Sequence, residues 1–183
     1  MLKVGLSGKI ASGKSEVEKI LSQLGFMVFD LDILSREVFD NNKNEIFNIF
    51  NTLNKSEIAK IIFQNNSQKE KLEKIIHPKL KEKILEIFEK YNNEKIIIIS
   101  GALLFESGFY KLFDKTIYVE ANEDIRLERL MKRNNLSYND AKKRINAQDD
   151  NQCADYIIKN NSDINTLEKQ IKEIISSLQL RWQ

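Results

Sequence analysis

The eight residues Gly8-Lys9-Ile10-Ala11-Ser12-Gly13-Lys14-Ser15 constrain this chain more than any other segment. They fit the spacing G-x-x-x-x-G-K-[ST], and their neighbours supply the context that spacing needs. Before them runs a short stretch carrying Leu2, Val4 and Leu6, which reads as a strand. After them Val17, Ile20, Leu21 and Leu24 recur at helical spacing, and Gly25 closes the pattern. A second apolar run, Phe26 to Phe29, stops at Asp30. Strand, helix and strand in close succession open a βαβ unit and predict a parallel sheet. A loop of this spacing wraps its N–H groups around phosphates, and the following helix adds its positive end. Lys14 is placed to reach the β- and γ-phosphates and Ser15 to ligate Mg²⁺. Gly8 and Gly13 are small where the backbone turns tightly or approaches a ligand.

The acidic residues narrow the class of nucleotide protein. ATP-driven machines and GTPases carry an acid at the end of a later hydrophobic strand, where it helps hold the metal. Here Ile96-Ile97-Ile98-Ile99 runs into Ser100-Gly101, with no carboxylate before Glu106. Two acids stand instead at the end of the second strand, in Asp30-Leu31-Asp32. Ligands of open α/β sheets sit beyond the carboxyl ends of the strands. One of the two is therefore expected to orient or deprotonate an attacking hydroxyl, and the other to support Mg²⁺.

Residues 35–91 keep a helical rhythm without strand-like alternation: Ile46, Ile49 and Phe50; Ile58, Ile61 and Ile62; Leu72, Ile75 and Ile76; Leu80, Ile84 and Ile87. They predict four or five helices inserted after the second strand. His77 precedes Pro78, which reads as the first residue of a helix. Arg36 follows Asp32 by four positions and shares its helix face. Ile117-Tyr118-Val119 and Tyr156-Ile157-Ile158 are further strands, and two helices, Glu123–Arg133 and Tyr138–Ala147, lie between them. The first of these carries Arg126, Arg129, Lys132 and Arg133, read as a basic face opposite Leu127, Leu130 and Met131, with Arg129 and Arg133 the expected phosphate contacts. Such a helix can close over a nucleotide as a lid, helped by Arg144 and Gln148 of the second.

Composition excludes several classes. With 183 residues, 42% of them hydrophobic and 31% charged, the chain suits one globular domain. A net charge of +2 gives no field for nucleic acid or an anionic membrane. A lone Cys153, expected to be inert packing, rules out an intrachain disulfide. No apolar run approaches a membrane span or a signal peptide, so a cytoplasmic location is expected. On the residues alone, a kinase for some other small molecule and a nucleotide-dependent binding module without kinase activity remain the competing readings.

The ordered set of motifs resembles the dephospho-CoA kinase family over about residues 2 to 162. It comprises Val4 to Ser15, Asp30-Leu31-Asp32 with Ser35-Arg36, His77-Pro78, Ser100 to Glu106, Arg129 to Arg133, and Arg144 to Gln148. The resemblance implies a fold like that of nucleoside monophosphate kinases: a five-stranded parallel sheet in an α/β three-layer arrangement. Its parts would be a core (1–34, 92–122 and 149–183), a helical substrate subdomain (35–91) and a lid (123–148). It implies transfer of the ATP γ-phosphoryl group to the ribose 3′-hydroxyl of dephospho-CoA, the last step of coenzyme A synthesis, with Mg²⁺. Gly8, Ala11, Ser12, Gly13, Lys14, Ser15, Glu16, Arg129 and Arg133 would then bind ATP. Asp32, Arg36 and His77 would meet the acceptor, Ser15 and Asp30 the metal, and Lys14 and Asp32 would be catalytic. A monomer or weak homo-oligomer is expected. The family commonly has glycine where this chain has Lys9 and Ala11, so Ala11 either avoids positive φ or adopts it at a cost of about 1 kcal/mol.

Overall fold

A computed structural model describes residues 1–147 and 153–180. In chain order the elements are β1 (Leu2–Gly8), α1 (Lys14–Gln23), β2 (Met27–Asp30), α2 (Leu31–Asn41), α3 (Lys43–Phe50), α4 (Lys55–Gln64) and α5 (Asn66–Lys90). After these come β3 (Ile96–Ser100), a 3₁₀ turn (Phe109–Leu112), β4 (Lys115–Glu120), α6 (Glu123–Asn134), α7 (Tyr138–Asn146), β5 (Tyr156–Lys159) and α8 (Ile164–Leu180). The five strands form one sheet in the order β2-β3-β1-β4-β5. β1 pairs in parallel with both β3 and β4, and β4 in parallel with β5.

The chain divides into two compact units, one of residues 1–29 and 93–183 and one of residues 30–92. In the first, the strand alternation sorts side chains to two faces. Leu2, Val4 and Leu6 of β1 join Ile96 and Ile98, Ile117 and Val119 under Val17, Ile20 and Leu21 of α1 and Leu167, Ile171, Ile175 and Leu178 of α8. On the opposite face Gly5 leaves room for the segment after β3. A Cβ there would stand 2.9 Å from Phe113 and 3.3 Å from Leu104. α1 ends as its sequence predicts: Gly25 has φ 89°, its N–H donates to Ser22, and Phe26 N–H reaches back to Leu21, the paired bonds of a Schellman motif.

The second unit is α2 to α5, four helices. α5 is one 25-residue helix, and Pro78 lies inside it rather than at a first turn. Pro78 removes the bond to the Lys74 carbonyl, but both residues are exposed and water can satisfy that group. Buried Ile75 and Ile76 before the proline, and Leu80, Ile84, Ile87 and Phe88 after it, anchor both halves.

β4 and β5 are clamped at one end by Asp155. Its carboxylate accepts from Lys115 Nζ at 2.7 Å and from the N–H and hydroxyl of Thr116, both at 2.9 Å. Burial pushes the Asp155 pKa upward, but the bonds from Lys115 and Thr116 outweigh it and hold the group below its ordinary value of 3.8. A depressed folded-state pKa contributes stability that is present above the unfolded value and is lost as pH falls through the folded one. Asp155→Asn should therefore melt lower than wild type at pH 7, and its melting temperature should fall less steeply below pH 4. Parallel acid limbs in thermal melts of the two proteins would contradict this role.

Candidate active site

The loop between β1 and α1 is built from backbone positions that exclude most side chains. A Cβ on Gly8 would lie 2.7 Å from the Val119 carbonyl and 2.8 Å from Ser12 Oγ. Gly13 has φ 94°, and a Cβ there would meet Asn160 Nδ2 at 2.0 Å. Inside the loop Ser12 N–H donates to the Lys9 carbonyl at 3.0 Å. The Ser12 carbonyl is held from outside, by Asn160 Nδ2 at 2.8 Å and Arg129 Nη1 at 3.3 Å. Ser12 is fully buried, and its hydroxyl has no hydrogen-bond partner among the described residues. Ala11 does adopt positive φ, 59°, so this chain carries strain of about 1 kcal/mol where the resembled family has glycine.

Gly13 precedes α1 and caps it with no side chain. Its carbonyl accepts from Glu16 and Val17 N–H, while the N–H groups of Lys14 and Ser15 belong to the first turn and have no acceptor within the helix. Two donors and the positive end of the dipole thus point out of the loop, an arrangement suited to phosphate oxygens. Ser15 is exposed, and Glu16 pairs with Lys19 at 3.6 Å. The Lys14 ammonium lies 2.6 Å from Glu18 Oε1 and 2.8 Å from Ser100 Oγ, and the Ser100 hydroxyl donates to the same Glu18 oxygen.

No group of three His, Cys, Asp or Glu side chains capable of holding a metal is found among the described residues. The exposed Ser15 hydroxyl at the first turn of α1 is a group that could serve Mg²⁺ arriving on a nucleotide. Mg²⁺ keeps several waters and shares phosphate oxygens, so it needs few protein groups.

Over the loop lie α6 and α7. Leu127, Leu130, Ala141 and Ile145 form a small core of their own, against which Ile10, Ala11, Met131 and Leu136 pack. Of the basic residues, Arg129 is half-buried and bridges the Ser12 and Asn160 carbonyls. Arg133 is exposed, with Nε donating to Asn134 at 3.0 Å, and Arg144 is exposed on α7. Gln148 lies outside the described residues. Arg126 corrects the reading of a single basic face: it is 5% exposed and belongs to the buried side with Leu127 and Leu130. Among the described residues its Nε and Nη1 have no partner. Burial, opposed by Tyr118, pulls its pKa down, and burial together with Arg126 does the same to Lys9. Cys153 is exposed rather than packed.

In the helical unit Asp30 is the N-cap of α2. Its Oδ1 accepts from Asp32 N–H at 2.7 Å and Ile33 N–H at 3.4 Å, which leaves only the other oxygen for a cation. Asp32 and Arg36 are exposed one turn apart on α2, and His77 is half-buried in the middle of α5. Two residues that complete the phosphate loop, Glu18 and Asn160, escape the sequence reading. Glu18 is detectable as a second acid on α1 one turn after Lys14, whereas nothing local marks Asn160.

The family described as Dephospho-CoA kinase matches residues 2–166. A Listeria monocytogenes dephospho-CoA kinase is 35% identical over 94% of each chain. Among solved structures, a Thermus thermophilus protein superposes with TM-score 0.87 at 26% identity, covering 97% of both chains. A dephospho-CoA kinase from Campylobacter jejuni superposes with TM-score 0.72 at 29% identity, covering 97% of this chain and 96% of the other. With a family match over most of its length and a relative 35% identical, the chain belongs to the dephospho-CoA kinase family.

Proposed function

We propose that this protein transfers the γ-phosphoryl group of ATP to the ribose 3′-hydroxyl of dephospho-CoA, giving CoA and ADP. The observation that carries the reading is an intact phosphate loop, with Lys14 and an uncapped α1, in a chain of this family. Phosphoryl transfer asks the protein mainly for positioning and charge neutralisation. The first-turn N–H groups and Lys14 bind the β- and γ-phosphates, Ser12 and Gly13 shape the cradle, and Arg129 holds the cradle from α6. Ser15 would hold Mg²⁺ arriving with the nucleotide, and that charge would further neutralise the one developing at the phosphoryl group. The acceptor oxygen forms a bond to the γ-phosphorus as the bond to the β–γ bridging oxygen breaks, and Asp32 takes the hydroxyl proton.

Arg36 and His77 contact the acceptor, the helical unit being its binding part, and α6–α7 form the lid with Arg133 on the nucleotide. ATP and dephospho-CoA are the partners and the cytoplasm the location. No described helix is long and apolar enough to cross a membrane.

The test is ADP release with and without dephospho-CoA. Acceptor-dependent release is expected, and ATP turnover indifferent to the acceptor would overturn the reading. In the same assay Asp32→Asn should lower kcat by about 10²-fold or more, with ATP affinity unchanged, within the range for losing a general base. Near wild-type turnover would remove Asp32 from that role.

A further inference from the structure

β3 runs where P-loop hydrolases and GTPases place their metal-side acid, yet it ends in Ser100. A carboxylate stands there nonetheless, brought from another element. Glu18 is four residues after Lys14 and three after Ser15 on α1, so the three side chains share a helix face. The Ser100 hydroxyl donates to Glu18 Oε1, which ties the carboxylate to the strand end from 82 positions away. The same oxygen already faces a cation, since Lys14 Nζ lies 2.6 Å from it.

The Lys14 and Glu18 side chains are 15% and 19% exposed. Water is thinned around the pair, which strengthens its electrostatics, without closing it to ions. When Lys14 turns to nucleotide phosphates, Glu18 loses its counter-ion beside a polyanion. That is unfavourable unless a second cation takes the ammonium's place, and a nucleotide of this kind carries one with it. Ser15, on the same face, presents the hydroxyl that would ligate that metal.

We propose that Glu18 is the metal-side carboxylate of this phosphate loop: fixed on Ser100 at the end of β3, it pairs with Lys14 in the nucleotide-free protein and with the water shell of nucleotide-bound Mg²⁺ once Lys14 engages the phosphates. Glu18 is a positioning residue, touching neither substrate nor the transferring phosphorus. The inference rests on the kinase reading for the nucleotide and its metal, and is independent of the acceptor.

The test is calorimetric titration of the full chain with ATP, with and without Mg²⁺, for wild type, Glu18→Gln, Glu18→Asp and a surface control, Glu173→Gln on α8. In wild type Mg²⁺ should tighten ATP binding. In Glu18→Gln metal-free ATP should bind as well as in wild type or better, because a repelling carboxylate is gone. The gain from Mg²⁺ should shrink by about tenfold or more, the usual scale for losing an outer-sphere partner. Glu18→Asp should keep more of the gain than Glu18→Gln, and Glu173→Gln all of it. A folded Glu18→Gln with the full wild-type gain overturns the assignment and leaves the kinase reading intact. Equal loss of metal-free and Mg²⁺-bound affinity also overturns it, since that is the behaviour of a merely structural contact. A wild type that fails to bind ATP overturns the nucleotide reading and this inference together.

Discussion

Lys14→Met should lower kcat/KM for ATP on the order of 10³-fold, or about 4 kcal/mol of transition-state stabilisation. Methionine keeps the length of the aliphatic stem and removes the ammonium, so the loop should fold with its backbone unchanged. The loss comes from the missing positive charge at the β- and γ-phosphates. Without Mg²⁺ a second effect adds to it: Glu18 keeps its bond to Ser100 but no longer has Lys14 at 2.6 Å, and so faces metal-free phosphates uncompensated. Adding Glu18→Gln to Lys14→Met should therefore recover part of the lost affinity for metal-free ATP, a non-additivity expected of groups in direct contact. Steady-state kinetics and calorimetry on the single and double variants check this. A Lys14→Met enzyme within about tenfold of wild type would mean that the ammonium contributes little to the transition state.

Much of this site is legible in the chain because its principal part is local. Gly8 to Ser15 occupy consecutive positions, and the residues that the motif's spacing asks for all lie among them: two glycines, one lysine and one hydroxyl. The strands are legible for a similar reason, since Ile96 to Ile99 and Ile117 to Val119 are short apolar runs bounded by polar residues. What the sequence withholds is convergence. Asn160 fastens the Ser12 carbonyl from 148 residues away, and Ser100 meets Glu18 only because β3 pairs with β1 in parallel.

Two local misreadings have equally specific causes. Pro78 suggests a helix start because the first turn is where its missing N–H costs least. In α5 that preference yields to a continuous apolar stripe that both halves bury. Arg126 suggests a solvated face because arginine is rarely enclosed. On α6, however, it is flanked by Leu127 and lies one turn before Leu130, and it is carried inward with them. A guanidinium buried with two unpartnered nitrogens is no feature of an ideal core, and such departures from local rules collect around functional sites.

The convergence at Asn160 makes Gly13→Ala a severe change for a single methyl group. The added Cβ would stand 2.0 Å from Asn160 Nδ2, far inside contact, at a residue whose φ of 94° already disfavours any side chain. Asn160 is 7% exposed, and its amide is committed to the Ser12 carbonyl at 2.8 Å. Relief requires either that Asn160 swing away or that the loop shift. Swinging away leaves buried polar groups unsatisfied, at about 1–3 kcal/mol. Shifting the loop re-aims the first-turn N–H groups of α1. Positive φ at an alanine adds about 1–2 kcal/mol along either route. The variant should still fold, because the core of β1, β3 and β4 lies below the loop, but its melting temperature should drop by several degrees. ATP affinity should fall by about 10²-fold, since each misplaced donor to a charged oxygen forfeits about 1.5–3 kcal/mol. Pairing Gly13→Ala with Asn160→Ala separates the two causes: removing the amide clears the clash but not the backbone strain. The pair should bind ATP better than Gly13→Ala alone and worse than Asn160→Ala alone. If the pair binds no better than Gly13→Ala alone, the clash with Asn160 is not what disables the loop.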